Sequence, residues 1–135
     1  HLAQQRAQSA ITQLGRVRTN PDPISAILDF IWEEHQGPVF VATLELWVAA
    51  RTDPTLAREI DRVEPIVNST LVAAIAQLVP DEAMQRDIRN VVYTAMDALR
   101  GILVASFFDQ DAGRARRRWE RACENIRRIA TDVLA

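Results

Sequence analysis

The sequence predicts an all-α domain, a six-helix bundle, and three observations carry that reading. Of its 135 residues, 48% are apolar and 25% charged, the balance of a globular chain rather than a disordered one. Only four glycines and one tyrosine occur, and no window reads as a β-hairpin. Proline-bearing breaks at Asp22-Pro23, Gly37-Pro38, Asp53-Pro54 and Pro80-Asp81 divide the chain into segments whose apolar residues recur at helical spacing. A chain of this length suits one domain, residues 1–135, burying about two-thirds of the surface its unfolded state exposes.

The first segment, HLAQQRAQSAITQLGRV, is helical in character from its first residue, with Ala7, Ile11 and Leu14 on one face. No Ser, Thr, Asp or Asn precedes it as an N-cap, and no methionine starts it, so it reads as the remainder of a longer helix. The stretch RTNPDP breaks it. Asp22 is then an N-cap followed by Pro23 at the first helical position, where a missing N–H costs nothing. The second helix, about Pro23 to His35, aligns Ile24, Ile27, Leu28 and Ile31 on one face.

The third segment is unusual. From Val39 to Ala50 only Thr43 and Glu45 are polar. A helix apolar all round is normally enclosed, and this one falls short of the roughly 20 residues that cross a bilayer. It is therefore expected in the middle of the bundle, surrounded by the second, fourth and fifth helices, with one side free to line a cavity. Arg51-Thr52-Asp53-Pro54 reads as a chain reversal. Glu45, the one charge in the segment, is either a ligand contact or, as expected because buried charges need partners, paired with an arginine such as Arg89 or Arg100.

Asp53-Pro54 opens a fourth helix reaching about Val79, with a kink expected at Pro65. From Met84 the apolar positions run Ile88, Val91, Ala95, Leu99, Ile102, widened by Val92, Met96, Leu103 and Phe107. That is a helix of about 27 residues and about 40 Å. After DQDAG, the last helix RARRRWERACENIRRIATDVLA spaces Trp119, Ala122, Ile126, Ile129 and Val133 as a heptad seam. Beside it Cys123, Ala130 and Leu134 form a second apolar line. Two adjacent lines allow one to face the chain's own core and the other a second copy, which places a dimer surface at the C-terminal end.

The charge pattern narrows the function. All 16 basic residues are arginine and the net charge is −2, which gives no general attraction to nucleic acid. Arg114 and Arg116 to Arg118 form the one basic run, interleaved with Glu120 and Glu124. It reads as a solvated first turn whose arginines meet carboxylates, a partner subunit's among them. One cysteine, no signal peptide and no transmembrane run suit a cytoplasmic protein without a membrane partner. Two histidines without a Glu-x-x-His pair give no metal site, and no phosphate loop or Ser-His-Asp set suggests an enzyme or a cofactor.

For a ligand, Phe40, Leu44 and Trp47 share one side of the third helix and offer flat apolar area, although core packing would use them equally well. Asn90, Tyr93, Thr94 and Asp97 on the fifth helix are either the convergent polar groups of a pocket or a solvated flank.

The phrase ELWVAARTDPTLAREI, residues 45–60, together with the order of helices, resembles the C-terminal regulatory domain of tetracycline-repressor-type (TetR family) transcriptional regulators. The resemblance implies an N-terminal helix-turn-helix head of roughly 50 residues that reads the major groove as a dimer. Residues 1–17 would belong to the helix connecting to that head, so operator DNA would be bound only through it. It implies a homodimeric four-helix bundle from the last two helices of each subunit, here Leu99, Ile102, Leu103, Phe107, Trp119, Ala122, Ile126, Ile129 and Val133. Ile126→Glu is then expected to split the dimer. It also implies a small-molecule effector pocket among the preceding helices, here Phe40, Leu44, Trp47, Asn90, Tyr93, Thr94 and Asp97. Effector binding would move the connecting helix and release DNA. The alternative is a helical interaction module that takes a partner helix in an open apolar groove.

Overall fold

Each proline-bearing break is a helix boundary in the computed structural model, which describes residues 2–79 and 81–134. The elements are α1 (Leu2–Thr19), α2 (Pro23–Glu34), α3 (Pro38–Ala49), a 3₁₀ turn (Ala50–Thr52), α4 (Pro54–Ala76), α5 (Glu82–Ala105) and α6 (Arg114–Leu134). No strand occurs among the described residues. His1, Pro80 and the side chains of Ala7 and Leu134, invoked above, lie outside the described residues.

Local chemistry explains the boundaries. The Ser25 N–H donates to Asp22 Oδ1 (3.2 Å), the Leu56 N–H to Asp53 Oδ1 (3.1 Å) and the Ala83 N–H to Asp81 Oδ1 (2.9 Å). Each bond satisfies one of the orphan donors of a helix start. Before α3 the cap is Gly37 at φ +91°, a conformation that favours glycine. Helix α4 runs through Pro65 and closes at Ala76, short of Val79. Helix α5 closes at Ala105, so Phe107 lies beyond it in the turn into α6.

The centre of the bundle is α5, not α3. Ile88, Val91, Val92, Ala95, Met96 and Leu99 of α5 are all buried, and they join Ile27, Leu28, Phe30 and Ile31 of α2, Val72, Ile75 and Ala76 of α4, and Trp119, Ile126 and Ala130 of α6 in one cluster. Val17 carries α1 into the same cluster, with Leu14 packed against it, whereas Ile11 is exposed. Helix α3 buries only Phe40 and Leu44. Val39, Val41, Leu46 and Val48 are between 42% and 50% exposed, and Glu45 points to solvent. The expected enclosure fails because α3 lies at the edge of the bundle: one side meets α4, Arg100 of α5 and His35 at the end of α2, and the other faces stay exposed. Apolar residues on the other faces show what the helix could bury, not what it does.

Helix α6 is fastened to α2 by aromatic and ionic contacts. Trp32 and Trp119 stack at 6.5 Å, the Arg116 guanidinium lies 4.9 Å over the Trp32 ring, and Arg127 bonds the Asp22 cap at 2.8 Å. No helix among the described residues is long and apolar enough to cross a membrane.

Candidate functional site

A hollow of about 550 Å³ lies where α3, α4 and α5 meet, open to solvent on one side. Trp47 of α3, Ala50 of the 3₁₀ turn and Tyr93 of α5 form part of its wall, and α4 supplies the rest through Ala57, Ile60, Asp61, Glu64, Pro65 and Asn68. Those α4 positions follow the 3-4 helical spacing, so one stripe of the helix faces the hollow. Pro65 has no N–H to donate to the Asp61 carbonyl one turn earlier.

Behind the wall is a polar network centred on Arg100 of α5. Its guanidinium lies 5.1 Å over the Trp47 ring, one NH₂ donates to Asn68 Oδ1 at 2.8 Å, and Glu64 is 3.8 Å away. Its Nε–H donates to His35 Nε2 at 3.2 Å. His35 is 4% exposed, and its Nδ1 lies 2.7 Å from the Ile31 carbonyl. Since Nε2 accepts, the proton sits on Nδ1 and the ring is neutral. Burial, with the Arg100 charge adding to it, pushes the imidazole down to about 4, against the bond to Ile31. Burial also pulls the Arg100 guanidinium below its usual value, while Glu64 and Asp97 favour its charge. The His35 ring in turn packs on Phe40 at 4.6 Å, and Phe40 meets Trp47 edge-on at 6.0 Å. Wall, network and the C-terminal end of α2 are thus one set of contacts.

No family model, curated protein or solved structure matches the chain.

Of the residues the sequence singled out for a pocket, Trp47 and Tyr93 line the hollow. Phe40 and Leu44 are buried behind it, with Phe40 buttressing Trp47. Asn90, Thr94 and Asp97 are exposed and do not line it, and the Thr94 hydroxyl donates back to the Asn90 carbonyl at 3.0 Å. Hydrogen bonding within its own helix serves Thr94, and the convergent polar groups come from α4 instead. Glu45 does not take Arg100, which pairs with Glu64. Sequence reasoning missed Asp61, Glu64 and Asn68. The available signal was two carboxylates in the turn before an internal proline, on the stripe that continues through Asn68.

The residues named for a dimer divide in the same way. Leu99, Trp119 and Ile126 lie in the chain's own core, with Ile102, Leu103 and Ala122 packed against it. Phe107, Ile129 and Val133 are exposed, as are Val104 and Phe108, the last at 92%. The arginine run finds its carboxylates within the chain: Arg114 and Arg118 meet Asp109, Arg116 meets Glu120, and Arg117 meets Asp111. Burial raises the Cys123 thiol to about 11, far from a reactive thiolate at neutral pH. Among the described residues no group of three or more His, Cys, Asp or Glu side chains could hold a metal.

Proposed function

We propose that this chain is the ligand-responsive, dimerising domain of a cytoplasmic transcriptional repressor of the TetR type, with its DNA-reading head on a segment preceding α1. The observation that carries the reading is the hollow. Its volume is within the range of roughly 300–1,000 Å³ typical of small-molecule sites, and its wall joins a flat indole to a few polar groups. A lipophilic or aromatic effector seated there touches Trp47. Trp47 bears on Arg100, Arg100 on His35 at the end of α2, and α2 packs along α1. A ligand that shifts the wall therefore has a contiguous route to the helix that would lead to the head.

Dimerisation through α5 and α6 is supported by apolar side chains that their own chain leaves uncovered. Gly101 adds to this. It sits inside α5, where glycine costs about 1 kcal/mol relative to alanine, yet a Cβ built there meets nothing within 4 Å. Its own fold does not need that smallness, whereas a helix of a second copy crossing at that point would.

Light scattering and a thermal-shift screen with lipophilic compounds test the reading. A dimer at micromolar concentration is expected. A ligand at 100 times its Kd should raise Tm by roughly 8 °C, an effect lost in Trp47→Ala. A monomer that no compound stabilises would refute it. The exposed valines and leucine of α3, with Val63, Ile66 and Val67 of α4, favour a second reading, a module that binds a partner helix. Under that reading Leu46→Glu abolishes partner binding and Trp47→Ala leaves it intact.

A further inference from the structure

We infer that the hollow selects lipophilic organic cations carrying one positive charge, an inference that rests on the small-molecule reading of the site. The lining holds two carboxylates, Asp61 and Glu64, and no basic residue. Glu64 has Arg100 at 3.8 Å to offset it. Asp61 has no ion-pair partner among the described residues, so one negative charge at the rim is unmatched.

The walls suit a cation for a further reason. Aromatic faces attract positive charge, and Trp47 already does so within the protein, with the Arg100 guanidinium over its ring. Tyr93 adds a second ring to the lining. The Arg100 guanidinium behind the wall is committed elsewhere, since it donates Nε–H to His35 and an NH₂ to Asn68. An anion entering the hollow meets two carboxylates. A neutral lipophile strips water from Asp61 without replacing it, which costs free energy. A monocation with apolar arms satisfies the unmatched charge and fills the apolar wall of Trp47, Ala50, Ala57, Ile60 and Pro65.

Three probes of similar shape separate the cases: tetraphenylphosphonium, its anionic counterpart tetraphenylborate, and neutral triphenylphosphine oxide, each titrated calorimetrically. Phosphonium is expected to bind about tenfold tighter than the oxide, with borate weakest. Asp61→Asn should weaken phosphonium binding by about fivefold to tenfold and leave the oxide no weaker, since the neutral probe no longer dehydrates a carboxylate. Asp61 is exposed, so this variant should keep the parent's helicity and Tm. Trp47→Ala should weaken all three and so place the binding in the hollow. Oxide or borate binding as tightly as phosphonium, or Asp61→Asn leaving every affinity unchanged, overturns the cation preference while the effector site stands. If no probe of any charge binds, the effector reading falls, and the preference with it.

Discussion

His35 holds α2 to α5 only while it is neutral, because its Nε2 must accept from Arg100. Its folded value of about 4 lies below the unfolded 6.5, so the unfolded chain binds the proton more readily. The stability due to the neutral ring is complete above about pH 6.5 and is lost as pH falls from there towards 4. Two and a half units at 1.36 kcal/mol each give about 3 kcal/mol in all, of which about 2 kcal/mol is gone by pH 5. Asp22 also sits low, at about 2, held there first by the Arg127 hydrogen bond and then by Ser25. Its contribution disappears below its unfolded value of 3.8, outside the histidine window. Urea denaturation followed by circular dichroism at half-unit steps from pH 7 to 4.5 isolates the histidine. The wild-type midpoint should fall steeply over that range, whereas His35→Gln, which cannot titrate, starts less stable and stays nearly flat. Parallel curves for the two proteins would show that His35 is not the neutral acceptor described.

Three further outcomes follow from burial and capping. Leu99→Ala removes a fully buried side chain from the centre of α5 and should cost about 2–5 kcal/mol in denaturant unfolding, with helicity retained below the transition. Ile126→Glu places a carboxylate in the core and should unfold the chain, whereas Ile129→Glu, at a residue 48% exposed, should leave it folded and convert the proposed dimer to monomer by light scattering. A folded Ile126→Glu monomer would contradict the core assignment. Asp22→Ala should lower stability by about 1 kcal/mol through loss of the α2 cap, which thermal unfolding at neutral pH would detect.

The helix boundaries were readable from residues 20–23, 37–38, 53–54 and 80–82 because caps and prolines act over one turn of chain, and the sequence contains all of that physics. The position of α3 was not readable. An apolar residue such as Val41 or Leu46 records a preference for burial, but whether a neighbour covers it depends on elements far along the chain. The stripe of α5 was an unambiguous core face, and its centrality could have been weighed against the uniform apolarity of α3. For the hollow, Trp47 and Tyr93 could be named, since large aromatic residues on helices have few roles. Arg100 could not be assigned to His35 and Asn68, which lie 65 and 32 residues away. Such contacts arise only once α2, α4 and α5 are packed. On α6 the heptad spacing was correctly seen, but spacing does not say which of two adjacent lines turns inward.

The missing backbone bond at Pro65 should also let the two halves of α4 open separately. Without the bond between residues 61 and 65, the helical ladder is interrupted, and the burial of the two halves is unequal. All the fully buried residues of α4, Val72, Ile75 and Ala76, follow the proline, while Leu56, Ala57, Ile60 and Glu64 before it are only partly covered. The later half should open only with the whole domain, and the earlier half should fray on its own at much lower free energy. Hydrogen exchange would then show slow amides around residues 72–76 and fast ones at 58–64, and an occupant of the hollow would protect the fast set alone. Most of the wall proposed to meet a ligand would then belong to the part of α4 that can move without disturbing the core.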